Sequence, residues 1–231
     1  MKGFKLIETG DGSHTIAKED DEVTYHSHHG ALTESLHVFI EKGLKTFSGK
    51  DQHLNVLEVG LGTGLNALLT QLNAHHAKSI TYHAIEPYPL PGEIISELNY
   101  ADILREKYGV DKERCIDLLN GIHQWRHNQK FFPIEHFGMT VWEETIQNWT
   151  PSEKYHVVYY DAFAPDDQQE MWEWEAFRKL FEAMKSGGVL VTFSAKGAFK
   201  RMLNEIGFQV ENTEGPPGGK KEMTRAFAPE G

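Results

Sequence analysis

Apolar residues in this chain recur with two periods, and the changes between them mark out its elements. Leu54, Val56, Leu57 and Val59 make an apolar, β-branched run that predicts a buried strand, and past a glycine-rich turn Leu65, Leu68, Leu69 and Leu72 recur at helical spacing. Residues 79–85, SITYHAI, alternate as a second strand, and FGMTVW, 137–142, forms a third. The near-continuous apolar run in KYHVVYYDAFAPD, 154–166, gives a fourth strand buried on both faces. MWEWEAFRKLFEAMKSGG predicts a helix closed by Gly187-Gly188, VLVTFS a fifth strand and KGAFKRMLNEIG another helix. FQVENTE and EMTRAFA finish the chain as two strands around GPPGGKK, a loop too rich in Gly and Pro for regular structure. Strands alternating with helices in this way predict an α/β fold.

Two stretches depart from the alternation. Ahead of the first core strand, LIETGDGSHTI reads as two short strands around Asp11-Gly12, and the acidic cluster Glu19 to Glu22 as a solvated loop. Leu32, Leu36, Phe39, Ile40 and Leu44 then share one helical face, with Gly43 near the end. This helix is expected across the mouth of a ligand site, with Tyr25, His26, Ser27 and Gly30 as its approach loop. After the second strand, PYPLPG opens a region with two helical patterns, 92–107 and 115–127, longer than an ordinary crossover. It reads as an insertion over about 88–135, with Trp125, Phe131 and Phe132 as its packing bulk. A short helix is expected after the third strand. The organisation is therefore a hairpin-and-helix extension at 1–50, packed on a core domain at 51–231, without repeats or low-complexity segments.

Composition narrows the class. With 231 residues, 39% of them hydrophobic, the chain has material for one domain with an insertion. No apolar run approaches the ~20 residues of a membrane span, and MKGFKLIETG lacks a secretory apolar stretch, so a cytoplasmic protein without a membrane partner is expected. Cys115 is alone, which excludes an internal disulfide and a Cys-based zinc site. A net charge of −11 argues against a general nucleic-acid binder. From Ala176 onward, however, Arg178, Lys179, Lys185, Lys196, Lys200, Arg201, Lys220, Lys221 and Arg225 outnumber the acids, so a local basic face is compatible with the acidic whole. The histidine clusters, His26 with His28 and His29, and His75 with His76, have no Cys or acidic partner at metal-site spacing, and no metal is expected.

Candidate chemistry collects at strand ends. Glu58 stands two residues before Gly60, and Gly60, Gly62 and Gly64 alternate with Leu61 and Thr63, giving E-x-G-x-G-x-G rather than the G-x-G-x-x-G of dinucleotide sites. The run resembles motif I of class I S-adenosyl-L-methionine (AdoMet) methyltransferases. That resemblance implies a turn running beside the methionine and ribose of the cofactor, with Glu58 facing its amino end. Glu86, at the end of the second strand, holds the place of the acidic residue that accepts both ribose hydroxyls. After the third strand comes Glu143-Glu144. The class I arrangement puts an acid there on the adenine amino group, and Glu144 is the choice with Glu143 its competitor. Asp161, at the end of the fourth strand, is set beside the reactive end of the cofactor by the same geometry.

Taken together, YHSHHGALTESLHVFI, EVGLGTGLN, YYDAFAPDDQQEMW, GGVLVTFSAKGAFKR and GFQVENTEGPPGGKKEM resemble one family from about residue 20 onward: the methyltransferase part of MnmC, the tRNA wobble-uridine modification protein. The resemblance implies a class I methyltransferase (Rossmann-like) fold with a seven-stranded sheet whose last strand is antiparallel. It also implies N-methylation of 5-aminomethyl-(2-thio)uridine at the tRNA wobble position. Glu58, Gly60, Gly62, Gly64, Asn66, Glu86, Glu144 and Asp161 would hold AdoMet, and Asp161 would face the substrate amine as the catalytic residue. Ala162 replaces the glycine of the family's D-G-F-A-P string, which restricts the backbone just after Asp161. Tyr25, Ser27, Phe163 and Pro165 would bind the substrate, Phe163 by stacking on the extruded base. Lys196, Lys200, Arg201, Lys220 and Lys221 would meet phosphates of the anticodon stem-loop, Lys220-Lys221-Glu222-Met223 matching the family's basic K-R-E-M ending. Many family members are fused to an FAD-dependent oxidase. No second nucleotide fingerprint occurs here, so the expectation is a free-standing methyltransferase supplied with aminomethyl substrate by a separate enzyme.

Two other functions share these features. A small-molecule or polyamine-type amine transferase on the same fold would suit an acidic chain, since substrate amines are cationic. A catalytically silent AdoMet-binding or RNA-binding module would retain the glycine turn without needing Asp161.

Overall fold

The computed structural model describes residues 3–19, 23–47, 49–124 and 131–231. Residues 20–22 of the acidic cluster, Trp125, the end of the 115–127 pattern and the side chains of Phe131 and Phe132 lie outside what is described. In chain order the elements are β1 (Phe4–Glu8), β2 (His14–Lys18), α1 (Ala31–Ser35), β3 (Gly49–Val59), α2 (Leu65–Leu72), β4 (Ala77–Ile85), α3 (Gly92–Ile95), α4 (Tyr100–Tyr108) and α5 (Lys112–His123). There follow β5 (Phe131–Ile134), β6 (Phe137–Trp142), β7 (Tyr155–Tyr160), α6 (Trp174–Ala183), β8 (Met184–Thr192), α7 (Gly197–Ile206), β9 (Gln209–Glu214) and β10 (Glu222–Phe227).

β1 and β2 pair as an antiparallel hairpin. The other strands form one sheet in the order β5-β6-β4-β3-β7-β8-β10-β9. β6, β4, β3, β7 and β8 run parallel, and β10 is antiparallel to both its neighbours. The seven strands implied by the family pattern are thus in place, and β5 adds an eighth at the edge, antiparallel to β6. Alternation along β3 feeds two cores: Leu54 and Val56 enter the cluster holding Leu68, Tyr82 and Tyr159, while Leu57 and Val59 enter that of Tyr160, Phe177 and Phe199. Ile16, Leu32 and Phe39 from the N-terminal region belong to the first cluster, so hairpin and helix share the core of the sheet. Among the described residues no helix is long and apolar enough to cross a membrane.

Four local expectations change. The helix predicted to close at Gly187-Gly188 ends at Ala183, and both glycines lie inside β8. β8 shifts register against β7 between Tyr155 and Val157. A Cβ on Gly188 would lie 2.8 Å from Lys185 O and 3.0 Å from Tyr155 O, so the residue permits a bulge rather than a cap. The 92–107 pattern splits into α3 and α4, because Asn99 turns to the hairpin, accepting from His14 N at 2.8 Å and donating to Gly12 O at 2.8 Å. The helix after the first hairpin is α-helical only to Ser35, continues as a π-helical segment over Leu36–Glu41 and ends in a 3-10 turn, Leu44–Phe47. After β6 there is a single turn closed by Trp149 N on Thr145 O rather than a short helix.

Candidate active site

Because β3, β4, β6 and β7 are parallel, their carboxyl ends bring Gly60, Glu86, Glu143 and Asp161 to one edge of the sheet. From β3 the chain runs outward through β4 and β6 and then returns to the other side of β3 at β7, and the crevice at such a switch point is where open α/β sheets bind ligands. Gly60 N donates to Ile85 O and Asp161 N to Val59 O, both at 2.9 Å, which locks the three strand ends together. A Cβ on Gly60, whose φ is +92°, would lie 2.5 Å from Asp161 O. Gly60 is therefore required by its neighbour strand as well as by its turn. At Gly64 the constraint comes from α5, since a Cβ there would lie 2.8 Å from His123 Nε2. His123 also contacts Thr63 O at 3.0 Å, and burial lowers its pKa.

A cavity of about 1000 Å³ opens at this edge, with Gly60, Gly62, Glu86, Glu143, Asp161 and Phe163 in its lining. The N-terminal region supplies another wall through Phe4, Lys18, Tyr25, Ser27 and Glu34. Tyr25 and Phe163 meet edge to face at 5.0 Å. Burial, and then the Glu86 charge, raise the Tyr25 pKa to about 12. Glu86 accepts from Gly62 N at 2.9 Å and Tyr88 N at 2.8 Å, and burial raises its pKa. An ionised carboxylate has about four acceptor positions, so Glu86 keeps capacity for a ligand's hydroxyls. His26, in the same wall, is held by Thr15 and has its pKa lowered by burial to about 4.

Behind the cavity lies a buried polar chain. Asn66 Nδ2 donates to Asp161 Oδ2 at 2.7 Å and to Glu58 Oε1 at 2.9 Å, and Tyr82 OH donates to Glu58 Oε2 at 2.8 Å. Glu58 is fully buried, which raises its pKa well above the usual range. Burial, and then the charge of Glu34, raise Asp161 to about 8 despite its bond to Asn66.

Several expected residues stand elsewhere. Glu58, Gly64 and Asn66 lie behind the lining, and Glu143 rather than Glu144 reaches the cavity. Pro165 flanks it. Of the five C-terminal basic residues singled out in the sequence, Lys220 alone lines it, with Nζ 4.6 Å from the Phe193 ring centre. Lys196 pairs with Asp166 at 2.6 Å, and Lys200 with Glu222 at 2.9 Å. Arg201 and Lys221 are exposed. Glu34, Lys18 and His123 were not singled out from the sequence. Glu34 stands four residues past Gly30, in the stretch read as an approach loop and its helix, and that is the signal by which it was accessible.

The donor set fits AdoMet: an acidic acceptor anchored by two backbone N–H groups for the ribose, a side-chain-free turn beside it and a cavity of matching size. Residues 119–229 match the family model of S-adenosyl-L-methionine-dependent methyltransferases. The tRNA 5-methylaminomethyl-2-thiouridine biosynthesis bifunctional protein MnmC of Cupriavidus metallidurans is 28% identical over 235 residues, 96% of this chain and 34% of that protein. The chain thus spans about a third of that relative's length. Among solved structures, MnmC2 of Aquifex aeolicus matches with a TM-score of 0.74 at 22% identity, over 100% of this chain and 72% of that one. Spermidine synthase of Thermotoga maritima matches with a TM-score of 0.54 at 13% identity, over 99% and 69%. These two likenesses establish the fold.

Proposed function

We propose that the chain carries an MnmC-like, S-adenosyl-L-methionine-dependent methyltransferase domain and that it methylates the amine of 5-aminomethyl-(2-thio)uridine at the tRNA wobble position. The observation that carries the reading is the acidic lining of a roomy cavity: Glu34, Glu86, Glu143, Asp161 and Asp167 face it, against the lysines Lys18 and Lys220. Such a lining favours a cationic amine over a neutral or anionic acceptor.

AdoMet supplies a methyl group activated on a sulfonium. An alkylammonium has no lone pair, so the site must first take a proton from it. In its ionised form, whose share grows as pH rises toward about 8, Asp161 accepts that proton: the N–H bond breaks, an O–H bond forms on the carboxylate, and the nitrogen lone pair is freed to form the new bond to carbon. A carboxyl raised to about 8 is much closer to an alkylamine, at about 10, than an ordinary aspartate is. Phe163, set edge to face against Tyr25, offers the ring on which the extruded uracil stacks. Glu86 takes the ribose hydroxyls, and Glu143, in place of Glu144, meets the adenine amino group. In this reading residues 1–50 form an extension that walls the site of a catalytic domain at 51–231, and the enzyme acts in the cytoplasm.

The test is transfer of labelled methyl from AdoMet to bulk tRNA from cells lacking the gene, followed by nucleoside digestion and mass spectrometry. The expected product is 5-methylaminomethyl-(2-thio)uridine, with the rate reduced by roughly 10²-fold or more in Asp161→Ala. AdoMet binding without any methylated nucleoside, combined with turnover of free diamines, would replace this reading with a small-molecule amine transferase.

A further inference from the structure

Two carboxylates and one amide meet behind the cavity in an arrangement that motif and family reading treat as cofactor contact. Asn66 does not reach the cavity lining. Both hydrogens of its amide are committed, one to Glu58 Oε1 and one to Asp161 Oδ2, while its buried Oδ1 has no partner among the described residues. Exchanging the amide's oxygen and nitrogen would turn the oxygen toward both carboxyl groups, so the orientation with both donors on them is the one that serves their ionised forms. An unpartnered buried carbonyl oxygen is costly, and the site retains one in the orientation that gives both donors to the carboxylates. Glu58 is in turn held on its other oxygen by Tyr82. Asp161 Oδ1 receives no hydrogen bond from a described residue.

We propose that Asn66 is a positioning residue rather than a cofactor ligand: braced by Glu58 and Tyr82, it clamps Oδ2 of Asp161 so that Oδ1 is the oxygen presented to the amine. This rests on the proposed role of Asp161 in amine methylation. The clamp also opposes the groups that hold the Asp161 proton in place. The ionisable groups around it are Glu34 from α1, Glu58 from β3, Tyr82 from β4 and Tyr100 from α4, all acidic types, and the Asn66 bond is what favours the ionised form.

The test reads the clamp without any methyl acceptor. Protein carrying ¹³C-carboxylate aspartate is titrated by NMR, with the Asp161 signal assigned by its absence in Asp161→Asn, and S-adenosylhomocysteine binding is measured by calorimetry. In Asn66→Ala the Asp161 titration should move up by about one pH unit or more, the size expected for loss of one charge-assisted hydrogen bond. The S-adenosylhomocysteine Kd should stay within about threefold, since no affinity change beyond roughly half a pH-unit equivalent is expected of a residue off the lining. Should the alanine variant fail to fold, Asn66→Ser keeps one donor and should shift the titration in the same direction by less. An unmoved Asp161 titration overturns the proposal, as does a tenfold or larger loss of S-adenosylhomocysteine affinity, which would make Asn66 a ligand. Failure of the wobble-uridine reading would appear in the tRNA assay and leave the titration result standing.

Discussion

Asp161 carries its chemistry as a stability cost with a defined pH window. Its carboxyl is raised from 3.8 to about 8, burial contributing most and Glu34 next. Between those values the native state holds a proton that the unfolded chain has released, so the stability contributed by the protonated group is full below 3.8 and is lost as pH rises through about 8. Asp161→Asn removes the titration. Its Tm should match the wild type near pH 4 and exceed it by a margin that grows as pH rises toward 8, reaching several degrees or more. Calorimetry at both pH values checks this, and a gap independent of pH would speak against a buried, raised carboxyl. Asp161 and Glu86 were legible in the sequence because each directly follows an apolar strand, and parallel strands share their carboxyl edge. The choice between Glu143 and Glu144 was not, because adjacent residues leaving a strand face opposite ways. Glu34 arrives from a helix whose placement only packing decides.

At the scale of elements, the turn from β3 to α2 was the most readable part of the chain, and its glycines have separate reasons. Gly60 combines a φ of +92° with a neighbour carbonyl 2.5 Å from where a Cβ would be. Gly60→Ala should therefore push Asp161 outward, destabilising the protein by about 1–3 kcal/mol and lowering methyl transfer more than AdoMet affinity. Gly92→Ala is the matched control: a Cβ there meets nothing within 4 Å, it begins α3, and the change should be neutral or stabilise by about 0.4–1 kcal/mol. Chemical denaturation of both variants checks the contrast, and equal losses would mean that the strand-end contact is unimportant. Gly187 and Gly188 show the limit of such reading. A glycine pair after a helical pattern signals a cap, yet here Tyr155 pairs with Met184 and the glycines absorb the register shift of a strand. Tertiary pairing outweighs the local signal.

For the molecule as a whole, the α/β class followed from the alternation of elements, whereas the electrostatic face did not follow from counting lysines. The segment after Ala176 is locally basic in sequence, but Lys196 and Lys200 are spent on Asp166 and Glu222, and only Lys220 among the expected phosphate contacts reaches the cavity. Lys18, from the opposite end of the chain, joins it in the lining. A paired lysine offers little net potential to a polyanion, so under the proposed tRNA reading a protein of charge −11 makes its RNA contacts where lysines border the site rather than where they are numerous. Lys220→Ala and Lys18→Ala should each weaken tRNA binding and reduce the slope of log affinity against log salt by about one. Lys200→Ala should leave that slope unchanged, its effect falling on the contact of α7 with Asn212 and Glu222. Binding titrations of tRNA at several salt concentrations separate the two outcomes. If Lys200 and Lys220 change the slope equally, the RNA path runs across the α7 face and away from the lysines that border the cavity.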